Sequence, residues 1–166
     1  MALAEDFVGL IETSRAHALE AQLAVMKIAA TNKQLIVLST TLPCANIRSL
    51  LQKNNIPADN VFIFDTVGTE HSAKSKNVVF FDKSALTSIS IELEKHIATK
   101  GPNAFVLIDS VTNLLMNNQP GDLFRFIAFL ITRVRINKAC CLLIFAEKDN
   151  RIKNEVMQLC DKVIVM

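Results

Sequence analysis

The sequence predicts an α/β protein in three layers, with helices on both sides of a mainly parallel central sheet. Short runs such as FVGLI at Phe7 to Ile11 and AFVLI at Ala104 to Ile108 are evenly apolar, as strands buried on both faces are. Helical stretches of roughly 10 to 16 residues alternate with them, which implies βαβ crossovers. The run from Ala104 ends at Asp109, which places an acid at the carboxyl end of a strand, the edge where open parallel sheets bind ligands.

After FVGLI, residues Glu12 to Ala16 lead into a helix from about His17 to Ala30, with Leu19, Leu23, Met26 and Ala30 on one face. Gln34 to Ser39 is the next strand, and Pro43 opens a helix with Ile47, Leu50 and Leu51 inward that stops near Asn54 and Asn55. Asn60 to Asp65, NVFIFD, is a third strand. Thr66 to Lys76 is polar and aperiodic, which makes it the longest loop and the segment expected to move most. Val78 to Phe81 is a short strand, at an edge or in a small excursion from the main sheet, and Ser84 is expected to cap a helix from Ala85 to Thr99. Gly101 and Pro102 end that helix before the strand that closes at Asp109. Asp109 then has two readings, a cap on Val111 to Leu115 or a ligand to magnesium beside a phosphate. The helix Asp122 to Asn137 is apolar nearly all round, so one face suits the sheet and another suits a neighbouring element or a second subunit. Cys140 to Ala146 is a buried strand, Glu147 to Arg151 a charged turn, Asn154 to Cys160 a short helix and Val163 to Met166 a last strand.

The 166 residues suit one domain spanning 1–166, long enough to bury about two-thirds of the unfolded surface. Hydrophobic residues at 51% leave either a well-filled core or a surface meant to be covered. A net charge of +2 gives no strong pull toward nucleic acid, which would need a basic stripe drawn from Lys33, Arg48, Lys53, Arg133 and Arg135. Cys44, Cys140, Cys141 and Cys160 lack zinc spacing and lie in or beside apolar runs, so they read as buried free thiols of a reducing compartment. No run reaches the ~18 apolar residues a membrane span needs, and MALAEDFVGL is not a signal peptide, so the expected location is the cytoplasm.

The order of these parts resembles the RecA-like ATPase core of the KaiC type, over about Phe7 to Val165. FVGLI resembles the family's first strand, LIVLST the strand that carries its catalytic glutamates, and FVLIDS its Walker B strand, with Asp109 at the magnesium aspartate. FLITRVRINKACCLLIF and LCDKVIVM resemble the following helix and strand and the closing segment. The similarity is closest to archaeal KaiC-related proteins that lack the phosphate loop. The resemblance therefore implies a P-loop NTPase topology with a degenerate phosphate loop.

The departures concern chemistry. A GxxxxGK[ST] loop needs glycines so that backbone N–H groups can curl round phosphates, and a lysine to reach the outer ones. Here Glu12 to Ala18 offers neither glycine nor lysine, and Glu12 adds a repelling charge. Two lost charge-assisted hydrogen bonds would weaken binding by about two to four decades. Thr40 and Thr41 stand where the family has glutamate, and neither is a general base near neutral pH. The resulting expectation is a catalytically inactive domain with no cofactor, acting as a regulatory or signalling module that binds a protein partner or its own copies. The alternative is an altered nucleotide site in which Thr13, Ser14, Arg15 and Asp109 still hold weak magnesium-ATP, Asp109 taking the metal. A hydrolase set of Ser39, Asp65 and His71 lacks the GxSxG elbow. His17 flanks its helix, His96 is expected on an exposed helix face, and Arg133 and Arg135 on a solvated flank.

Overall fold

The computed structural model describes residues 6–69, 76–146 and 152–166. Its seven strands are β1 (Val8–Glu12), β2 (Gln34–Ser39), β3 (Val61–Asp65), β4 (Val78–Phe80), β5 (Ala104–Asp109), β6 (Cys140–Phe145) and β7 (Lys162–Val165). They form one sheet in the order β4-β3-β2-β5-β6-β1-β7, and all pairs are parallel. The helices are α1 (Ala18–Asn32), α2 (Cys44–Lys53), α3 (Leu86–Lys100), α4 (Val111–Leu115), α5 (Pro120–Ile136) and α6 (Lys153–Met157). The predicted parallel three-layer α/β class is the one observed.

Two apolar clusters explain the uniformly apolar strands, because alternate residues of each strand feed opposite clusters. Val106 and Ile108 join α3, α5 and α6 on one face, while Phe105 and Leu107 join α1 and α2 on the other. Cys140 and Cys141 divide the same way, which keeps the adjacent thiols apart. All four cysteines are free, but Cys160 is only half buried. Burial holds the thiols of Cys44 and Cys141 protonated and pushes Cys160 up to about 11.

Several local expectations need correcting. The buried stripe of α1 runs through Ala21, Gln22, Val25, Met26, Ala29 and Ala30. Leu19, expected inward, is 44% exposed because it stands about 200° round the helix from Ala21. Ser84 does not cap α3, whose N-cap position is Ala85, because its N–H and hydroxyl both go to Asp82 Oδ1. His96 is not on an exposed face: its ring lies against Phe62 and Phe64 at 4.1 and 5.3 Å between centroids. Ile91 of α3, though apolar, is 53% exposed. The all-round apolar character of α5 is largely absorbed by its neighbours, since α3 packs along its flank and α6 lies against it on the same face of the sheet. The central part of the loop expected to move most, with His71, and the charged turn Glu147 to Arg151 lie outside the described residues.

Candidate functional site

The carboxyl ends of β1, β2, β3 and β5 bring the candidate residues to one edge of the sheet. Asp109 closes β5 level with Ser39 of β2 on one side and Ile144 of β6 on the other. Its side chain is 3% exposed. Burial pushes its carboxyl up to about 6, against the pull of a hydrogen bond from the Thr41 hydroxyl. Asp109 does not cap the next helix. The N-cap position of α4 is Ser110, with no side-chain cap.

Thr40 and Thr41, the pair standing where glutamates were sought, have structural partners. Thr40 is 1% exposed, and its backbone N–H donates to the Asp109 carbonyl at 2.7 Å. Its hydroxyl accepts the Ser110 N–H at 2.6 Å and reaches the Asp109 and Ser110 carbonyls at 2.8 and 3.0 Å. It thereby brackets the Asp109–Ser110 peptide, which is cis. Asn113 Nδ2 donates to the Thr41 hydroxyl at 3.2 Å, fixing the first turn of α4 to the end of β2.

Thr13, Ser14 and Arg15 lie past the end of β1, at the same edge as Asp109 but with β6 between. Two strand spacings separate β1 from β5 by ~10 Å. Thr13 is 1% exposed and its N–H donates to the Phe145 carbonyl at 2.9 Å, which extends the β1–β6 ladder. The chain then turns tightly. The His17 N–H donates to the Ser14 carbonyl at 3.1 Å, and the Ser14 hydroxyl pairs with His17 Nδ1 at 2.8 Å. Arg15 is exposed on that turn. Glu12, read from the sequence as a charge that would repel phosphate, forms an ion pair with Lys153 Nζ of α6 at 2.9 Å. Both side chains are largely buried, at 16% and 11% exposure.

Asp65, at the end of β3, has the most heavily used carboxylate at this edge. Oδ2 accepts the Cys44 N–H at 2.7 Å, at the start of α2, and Oδ1 accepts the N–H groups of Val67 and Gly68 at 2.8 and 2.7 Å. A Cβ on Gly68 would stand 2.7 Å from Asp65 Oδ2, so the close wrap needs glycine there. Ser39 Oγ donates to the Leu42 carbonyl at 2.6 Å. Ser39 and Asp65, imagined as part of a hydrolase set, are thus each bound into local turns. Sequence reasoning missed Lys153 altogether and passed over the structural role of Asp65. The available signal for Asp65 was the one that singled out Asp109, an acid closing an apolar strand.

Among the described residues no group of three or more His, Cys, Asp and Glu side chains could hold a metal ion. The five basic residues considered for nucleic acid do not share one face of the sheet, Lys33 ending α1 on the side of α2. Arg48 and Lys53 ride on α2, over one face of the sheet, while Arg133 and Arg135 ride on α5, over the other. Arg133 pairs with Glu94 at 3.0 Å and Arg135 with Asp161 at 2.9 Å. Among the described residues no helix is long and apolar enough to cross a membrane.

A seven-stranded, all-parallel sheet with helices on both faces is the class to which the comparisons also point. The chain belongs to the family of unknown function DUF7504, whose model matches residues 10–166. Its fold is similar to that of the uncharacterized protein PH0321 from Pyrococcus horikoshii, crystallised in complex with an unknown peptide. That match has a TM-score of 0.74 at 14% identity and covers 98% of this chain and 78% of the other. It is also similar to the KaiC-like protein PH0186 from Pyrococcus horikoshii OT3, with a TM-score of 0.68 at 10% identity, covering 97% and 71% of the two chains. The fold is therefore KaiC-like. No curated protein matches the chain.

Proposed function

We propose that this chain is a catalytically inactive KaiC-like domain that works by binding proteins, either its own copies or a regulatory or signalling partner. The observation that carries this reading is the connection from β1 to α1. Where nucleotide chemistry calls for a wide, glycine-lined loop with free N–H groups, the N–H groups of Thr13 and His17 are engaged by carbonyls and Ser14 is turned onto His17. Glu12 puts a carboxylate beside that turn, with Lys153 as its counter-charge. Magnesium-triphosphate is a poor fit to this donor set: among the described residues no group of three or more His, Cys, Asp and Glu side chains forms around Asp109, and the buried Asp109 carboxyl must give up its proton before it can take a metal. The peptide held by PH0321 lends support to a protein-binding role. Four free thiols suit a reducing compartment such as the cytoplasm.

Titration calorimetry with magnesium-ATP tests the reading. The expected result is no measurable heat of binding and no release of phosphate, and micromolar or tighter binding overturns it. The second reading, an altered ATP site, is favoured by one observation, a buried acid at the end of β5, two strands from β1 and at the same edge as the turn after it. Asp109→Ala separates the two, because it abolishes nucleotide binding under the second and leaves partner binding intact under the first.

A further inference from the structure

Helices α3 and α5 lie side by side over the sheet, and a cleft of about 610 Å³ opens between their outer faces. Leu86, Phe126 and Phe129 make its apolar lining. Ile91 rises from the α3 rim, 53% exposed. The α5 rim carries Asp122 and Arg125, an ion pair between exposed side chains one turn apart. One turn further along both helices Arg133 lies over the Phe129 ring, 4.9 Å from its centroid, and pairs with Glu94.

Resting on the reading of this chain as a protein-binding domain, we infer that the cleft is covered by a second copy of the chain, related to the first by a two-fold axis. Each copy seats Ile91 against the other's cleft and sets Asp122 opposite the partner's Arg125. The sign pattern of the rim selects this occupant. A partner segment of uniform charge would meet one attractive and one repulsive group, whereas a two-fold turn lays the acid of each copy on the base of the other, so that residue i meets j and j meets i. The dimensions agree with a modest dimer. Helices of 15 and 17 residues are roughly 22 to 26 Å long, and two lying abreast are roughly 20 Å wide. The face then buries about 900 to 1,000 Å² in total, at the low end for a specific interface. Ile91 is its apolar anchor.

Sedimentation velocity over a concentration series, at low and at moderate salt, tests this. The full chain should dimerise, and Ile91→Glu or Asp122→Arg should each weaken association about tenfold or more. The paired exchange Asp122→Arg with Arg125→Asp should recover most of the loss. All three side chains are exposed, so an unchanged thermal melt by circular dichroism serves as the check on folding. A monomer throughout the range, a dimer indifferent to Ile91→Glu and Asp122→Arg, or failure of the charge exchange to restore it overturns the inference. A monomer that also gives no heat with magnesium-ATP removes this dimer alone and leaves the inactive, partner-binding reading in place.

Discussion

The ion pair between Glu12 and Lys153 is open to a quantitative test. Replacing Lys153 by Met keeps most of the side-chain volume while leaving the Glu12 carboxylate without its partner at 16% exposure. At 2.9 Å the pair's attraction is about 6 kcal/mol for an effective dielectric of about 20, most of it offset by desolvation of both ends. Breaking a buried pair by removing one partner costs about 3 to 5 kcal/mol, and the residual solvent contact of both groups argues for the lower figure, about 3 kcal/mol. Glu12→Gln combined with Lys153→Met should recover most of that loss, since a neutral amide tolerates the site far better than a lone carboxylate. Urea unfolding followed by circular dichroism is the assay, the chain having neither Trp nor Tyr to report by fluorescence. Salt gives a further check, because a buried pair is screened much less than an exposed one. A loss below ~1 kcal/mol for Lys153→Met, or a double variant no better than the single one, would refute the claim that the pair ties α6 to the end of β1.

Two further outcomes follow from the same edge. Asp65→Ala removes the acceptor for three backbone N–H groups around a fully buried carboxylate, and at ~1 kcal/mol or more for each orphaned donor the domain should lose at least about 3 kcal/mol in the same unfolding assay. Asp109 supplies the pH dependence: its folded carboxyl titrates near 6 against 3.8 for the ordinary group, so the folded state binds this proton more tightly. Its contribution is fully present below about pH 4 and is lost as pH rises through 6, by about 3 kcal/mol. Asp109→Asn should therefore equal the parent near pH 4 and exceed it near pH 8, and a stability difference flat across that range contradicts the buried-acid account.

The sheet was legible in the sequence because a strand buried on both faces must be apolar at successive positions, a local property. LIVL, VFIF, AFVLI and CCLLIF announce themselves without reference to anything distant. Helix starts were less legible. Ser84 sits where a cap would sit, yet Asp82 two residues earlier takes both its donors, and a rule that scores single positions has no means of arbitrating that competition. The edge contacts were hidden for another reason. Glu12 meets Lys153 and Thr40 meets Ser110 only because the sheet order places β6 beside both β1 and β5, with β2 on the far side of β5. His96 was misplaced by the same blindness, since its helix position gave no sign of Phe62 and Phe64 beneath it.

An edge built to hold a charged ligand carries donors and acceptors that the ligand satisfies, and a chain that gives up the ligand must satisfy them from within or bear the cost of orphaned buried groups. Among the described residues this edge has internal partners at three such points. The acid after β1 has a lysine; the acid after β3 has three N–H groups; the peptide after β5 has Thr40 on both sides. Asp109 departs from the pattern, with burial as the chief influence on its carboxyl and Thr41 as its counterweight. On the proposed reading that exception has a plain meaning: a carboxyl that stays protonated up to about pH 6 needs no cation below that point, and above it contributes the instability of about 3 kcal/mol that the rest of the fold must outweigh. The inactive domain and the altered ATP site thus differ in what magnesium should do. Under the first, the pH at which Asp109 loses its proton is the same with and without the ion; under the second, magnesium-ATP drives that proton off and shifts the stability profile of the parent, but not of Asp109→Asn, toward lower pH.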